Sequence, residues 1–123
     1  MKRKTIMITL LAMLLVIPVL AQGTPVGSEG NIVVRLSEFR TSRLQWRVSG
    51  LATPSSNQSV TIAYDDGAAA GTVIGTANVV NGAWTFNIRN ATGILDPRVS
   101  GATRIRVVTT LGDTTTATIF IRK

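Results

Sequence analysis

"NVVNGAWTFNIR", residues Asn78 to Arg89, decides how this chain is read. Two apolar, alternating runs flank Asn81-Gly82. Both of those residues tolerate positive φ, so the pair predicts the two-residue loop of a tight hairpin. After the turn, Trp84, Phe86 and Ile88 fall on one phase. A strand's period of two places them on one face, and their shared apolar character makes that face the buried one. Trp46 has the same setting, between Leu44 and Val48. Both tryptophans are therefore expected in a core, although coplanar aromatics on an outer face would suit a carbohydrate.

The alternation extends outward from this stretch, with turn signals about every 8 to 12 residues. No window keeps a helical period, and Val, Ile and Thr dominate. Seven strands are expected: Asn31 to Ser37, Arg43 to Leu51, Ser59 to Asp65, Thr72 to Val80, Ala83 to Arg89, Ala102 to Thr110 and Thr115 to Arg122. Phe39 breaks the phase of Ile32, Val34 and Leu36, which predicts a bulge or strand end near Glu38. "ATPSSNQ" and "NATGILDPRVSG" read as loops, and "DDGAAAG" and "LGD" as turns. Gln45, Arg47 and Ser49 are expected outward. In the last strand Ala117, Ile119 and Ile121 take the inward phase. Seven short antiparallel strands predict an all-β, two-sheet sandwich, with a small closed barrel as the runner-up.

The 123 residues are a one-domain length. Lys2-Arg3-Lys4, the apolar run from Ile6 to Ala21 and the modest side chains at Val19 and Ala21 predict a signal peptide over residues 1–21, cleaved after Ala21. Residues 22–30, rich in Gly, Pro and Ser, read as a flexible leader. Residues 31–123 form the sandwich domain. Export implies a secreted, periplasmic or cell-surface location, with membrane contact only through the signal peptide before cleavage. Thirteen Lys and Arg face six acids. Three of those cations belong to the signal, leaving ten against six and a net charge of +4. That mild charge gives weak affinity for acidic surfaces, and export argues against nucleic acid as a partner. There is no Cys, so stability must come from apolar burial, at roughly 25 cal/mol per Å².

Catalysis finds little to work with. The chain has no His and no Cys, and Met1, Met7 and Met13 all lie in the signal. The usual general base, the thiol nucleophile and the soft metal ligands are therefore missing. Glu29 lies in the leader, Asp65, Asp66, Asp96 and Asp113 lie in turns, and only Glu38 lies near a strand, so no carboxylate pair is expected across a cleft. Asp65-Asp66-Gly67 offers oxygens to Ca²⁺, but such a site needs six to eight ligands, and an ordinary capping turn explains it as well. No enzyme activity and no cofactor are expected. Asn57-Gln58-Ser59 and Asn90-Ala91-Thr92 match glycosylation sequons and are expected to stand idle.

The run "WRVSGLA…SVTIAYDDG…GTVIGTANVVNGAWTFNI…IRVVTTLGDTTTATIFI" resembles bacterial Ig-like domains of secreted and cell-surface proteins. Trp46 to Gly50, Ser59 to Ile62 and Ile74 to Phe86 carry the resemblance, which spans Asn31 to Lys123. It implies an Ig-like or fibronectin-III-like seven-stranded sandwich serving as a spacer, adhesion or ligand-binding module. Without the antibody-type Cys…Trp…Cys, the domain is not disulfide-pinned. In that topology the first, second, fourth and fifth strands share a sheet, whose outer face carries Arg35, Arg43, Arg47 and Arg89. The other sheet presents Arg104 and Arg106, with Phe120 pointing outward beside them. Arg104, Arg106 and Phe120 are thus the candidate binding patch, suited to stacking on a sugar or pairing with a protein.

The expected function is an exported, non-enzymatic Ig-like module for protein or glycan binding or surface assembly. The alternatives are a carbohydrate-binding domain, and a fibre subunit that lends its leader plus "NIVVRLSEF" to its neighbour as a donor strand.

Overall fold

The computed structural model describes residues 27–29 and 31–123. The expected signal peptide lies outside the described residues. Nine strands occur among them: β1 Gly27–Glu29, β2 Ile32–Arg40, β3 Gln45–Ala52, β4 Ser59–Tyr64, β5 Val73–Asn78, β6 Ala83–Ile88, β7 Arg104–Thr109, β8 Thr114–Thr118 and β9 Phe120–Arg122. They form two sheets. The first runs β1-β2-β3-β6, with β9 also paired to β2, and the second runs β5-β4-β7-β8. The all-β, two-layered expectation holds, and the strand count changes at both ends.

Gly27–Glu29 was expected in the flexible leader. It instead pairs antiparallel with Ile32–Val34 as an edge strand. The bulge in β2 falls at Arg35, between the Val34–Gly50 and Leu36–Ser49 pairs, three residues before the expected place. One extra residue reverses the phase. Ile32 and Val34 before it, and Ser37 and Phe39 after it, are all buried.

Asn81 and Gly82 adopt the expected left-handed conformations, with φ of 53° and 81°. Val80 and Ala83 exchange backbone hydrogen bonds of 2.8 and 3.0 Å across them. The hairpin nevertheless stops there. β5 pairs with β4 in the second sheet, and β6 with β3 in the first. The turn is a corner between sheets, and the expected placing of the fourth strand beside the fifth is corrected. Two contacts hold the corner to the first sheet's side: Ala52 N–H donates to Gly82 O at 2.9 Å, and Gly82 N–H to Ser55 O at 2.9 Å.

The core lies between the layers. Trp46, Trp84, Tyr64, Phe39, Ile62 and Ile105 are almost wholly buried. Phe39 meets Trp46 edge-on, with centroids 5.3 Å apart, and Trp46 lies 6.2 Å from Tyr64 across the layers. Two glycines make room for aromatic rings. A Cβ on Gly75 would stand 2.1 Å from the Phe86 ring, and one on Gly50 would stand 1.9 Å from Val33 O and 2.7 Å from Trp84. β5 therefore approaches Phe86 of the opposite sheet through bare backbone.

The loop after β6 holds a 3-10 turn, Gly93–Leu95, and a one-turn helix, α1, Pro97–Ser100. Asp96 caps α1 by accepting from Arg98 N–H at 2.9 Å, and Gly101 ends it at φ 77°. Such a cap favours a short turn that could not otherwise persist alone. An aromatic donor from each sheet fastens the loop. Trp46 Nε1–H donates to Leu95 O and Tyr64 O–H to Ile94 O, both at 2.8 Å. Burial pushes the Tyr64 hydroxyl above its ordinary pKa.

Candidate binding face

Thr115 to Arg122 was expected to form one strand. It breaks at Ile119, whose N–H makes a 2.9 Å bond to Thr103 O. Residues Thr114–Thr118 pair with β7, and Phe120–Arg122 cross to the first sheet and run parallel to β2. Ile121 was expected inward and is instead 49% exposed. Phe120 is exposed, as expected, but it leaves Arg104 and Arg106 and lies opposite Glu38.

The three candidate residues therefore separate. Arg104 and Arg106 stay on the outer face of the second sheet, where both close on Asp65. Arg104 reaches Asp65 Oδ2 at 3.0 Å and Arg106 reaches Oδ1 at 2.6 Å. The Arg106 hydrogen bond, followed by that of Arg104, holds the Asp65 carboxyl below the ordinary carboxylate range against the opposing effect of desolvation. Asp66 accepts from Thr103 Oγ1 and from the N–H groups of Thr103 at 2.7 Å and Arg104 at 3.0 Å. Its pKa is also lowered, first by the Thr103 hydroxyl. The two carboxylates thus cap the start of β7 and clamp its arginines. Capping extends across to a neighbouring strand rather than within the turn itself. No group of three or more potential metal-ligating residues occurs among the described residues.

Phe120 joins a different set. Strand register builds two rows across the outer face of the first sheet. One row runs Phe120, Glu38, Arg47, Asn87, and the next runs Arg122, Arg40, Gln45. Arg89 is exposed and lies one residue past β6, beyond the last paired position Ile88. Paired residues share a face of the pleat, and the hydrogen bonds agree. Glu38 Oε2 accepts from Arg47 at 2.9 Å, its Oε1 lies 3.3 Å from Arg122 Nε, and Gln45 Nε2 donates to Asn87 Oδ1 at 2.8 Å. The side chain of Glu38 is 5% exposed, against 41% and 62% for the two arginines that cover it. Gln45 was expected outward. It faces the outer side but is buried within this polar layer. Arg40 Nε and Gln45 Oε1 are buried without partners, although the two residues are directly paired.

The two rows carry three guanidiniums, Arg40, Arg47 and Arg122, around one carboxylate, and Arg89 lies just past β6. The face holds planar hydrogen-bonding groups and one exposed aromatic ring. Arginine forks suit carboxylates and other flat anions. Glu38 is the only carboxylate in the two rows and is engaged by two cations. Of these residues, Arg47 and Arg89 were foreseen on this sheet's outer face. Gln45 was foreseen outward but not as part of a site, and Glu38, Arg40, Asn87 and Arg122 were not singled out for it. For Glu38 and Arg40 the signal is the outward phase of "SEFR" once the bulge at Arg35 is placed.

A shallow cleft of about 420 Å³ opens at the far end of the sandwich, lined by Asn57, Gln58, Ser59, Asn78, Val79 and Thr110. It holds no charged group, and Gln58 is tied to Pro54 O at 2.6 Å. No family model, curated protein or solved structure matches the chain.

Proposed function

We propose that the chain is an exported, non-enzymatic Ig-like module that binds a protein or glycan through the outer face of its first sheet. The strand order supports the Ig-like part. β2, β3 and β6 share one layer and β4, β7 and β8 the other, which is where the immunoglobulin plan puts its strands A, B, E and C, F, G. β5 is the departure, as it joins β4. The basic, apolar start of the sequence supports export.

One observation carries the binding role. Of six aromatic residues, Phe39, Trp46, Tyr64, Trp84 and Phe86 are buried, and Phe120 alone is exposed, beside the arginine face. A carbohydrate-binding domain built on coplanar tryptophans draws no support from Trp46 and Trp84, which lie in the core. A fibre subunit lending its first strand draws none from β2, which pairs along both edges within its own chain.

The test is a binding screen of the full chain against immobilised glycans and surface proteins, with Phe120→Ala and Arg47→Ala alongside. Binding that both substitutions weaken is the expected result. Binding indifferent to both, or turnover of any substrate, would sink the proposal.

A further inference from the structure

We infer that the outer face of the first sheet binds an acidic polysaccharide, through the carboxylate of a sugar unit and the apolar face of its ring. The inference rests on the binding-face reading above and names the ligand class. Three features of such a ligand find a counterpart. Its carboxylate needs a forked cation, and two are exposed: Arg122, paired with Arg40, and Arg89, just past β6. Within the two rows Glu38 is the only carboxylate beside Arg40, Arg47 and Arg122. The ligand's hydroxyls need donors and acceptors at the surface, which the exposed Asn87 and half-exposed Arg47 supply. The apolar face of a sugar ring packs on an aromatic, and Phe120 is 55% exposed next to Glu38 and Arg122.

The unpartnered atoms point the same way. Arg40 Nε is a buried donor and Gln45 Oε1 a buried acceptor, on adjacent strands of the same row. A buried polar atom without a partner is unfavourable. A ligand seated over this row that reached the pair would satisfy one donor and one acceptor together. A sugar acid offers both complements, whereas a phosphate or sulfate offers acceptors only. The cations of this face are all Arg, which favours flat bidentate anions over a diffuse charge sink.

The experiment is affinity electrophoresis of the full chain through gels holding polygalacturonate, dextran sulfate, neutral dextran or polyglutamate. Retardation by polygalacturonate and not by dextran is expected. Arg89→Gln combined with Arg122→Gln should weaken it on the order of a hundredfold, from two lost charge-assisted contacts. Phe120→Ala should weaken it about fivefold. An unchanged thermal midpoint shows that these exposed substitutions leave the fold intact. Equal or stronger retardation by dextran sulfate overturns the inference in favour of bare charge. Preference for polyglutamate overturns it in favour of an acidic protein, and the binding face itself survives if the same variants abolish that retardation. No retardation by polygalacturonate overturns the sugar ligand. If every variant migrates like the parent in a gel that does retard the parent, both the ligand and the face fall.

Discussion

The two outer faces use arginine in opposite ways. On the second sheet, Arg104 and Arg106 close on one carboxylate whose side chain is only 8% exposed, while Asp66 takes the N–H groups at the start of β7. Charge is consumed inside the fold, and the pairs lock a turn to a strand. On the first sheet, a single glutamate serves Arg47 and Arg122, and two further arginines stand beside them. Charge there exceeds what the fold uses. The same residue type is a clamp on one face and an available donor on the other. The number of arginines beyond those each carboxylate engages makes the difference.

The largest expected effect tests whether the core merely carries these faces. Trp84→Ala should lower stability by about 3 to 5 kcal/mol, through lost burial and a cavity, and leave ligand affinity unchanged in the folded fraction. Denaturant melts and binding isotherms on the same preparation check both halves. Next comes the second sheet's clamp. Asp66→Ala should lower stability by about 1 to 3 kcal/mol, because two strand-start N–H groups lose their acceptor. Asp65→Asn should matter less, about 1 kcal/mol or below, since Arg104 and Arg106 remain half in water. Urea midpoints rank the two.

Acid should separate the faces further. The carboxyls of Asp65, Asp66 and Asp96 are all lowered, that of Asp96 first by the Arg98 hydrogen bond. A depressed folded pKa contributes stability above the unfolded value, about 4, and loses it as pH falls through the folded value. The melting midpoint should therefore decline below about pH 4, and less steeply in the Asp65→Asn, Asp66→Asn double variant. The smallest effect belongs to the first sheet. Phe120→Ala should shift stability by no more than about 0.5 kcal/mol, which a melt that drops markedly further would contradict.

Phase was legible in the sequence, and partnership was not. The alternation of Trp84, Phe86 and Ile88 correctly placed the first two in the core, with Ile88 half-buried at its margin. Asn81-Gly82 correctly announced a turn with two positive φ values. Which strand lies beside β5, however, depends on Gly75 and Phe86 meeting across the layers, a contact between residues eleven positions apart. The "TTTATIFIR" run keeps one alternation throughout, with no Gly or Pro to mark the change of sheet at Ile119. Its second half is drawn off by the edge that β2 leaves open beyond β1. That one transfer moved Phe120 away from Arg104 and Arg106 and beside Arg122, Glu38 and Arg47. Local pattern fixes the face of a residue, while sheet edges choose its company.

The parallel pairing of β9 with β2 has a mechanical consequence. Both strands run toward the same end of the sandwich, and their pairing extends from Glu38–Phe120 to Arg40–Arg122. Thr41 N–H adds a 2.7 Å bond to Arg122 O. A pull on the N-terminal side of β2 against Lys123 slides these strands past one another. The load then falls on the connecting hydrogen bonds together, as in shear. The antiparallel β1–β2 ladder, turned back on itself, would instead open one rung at a time.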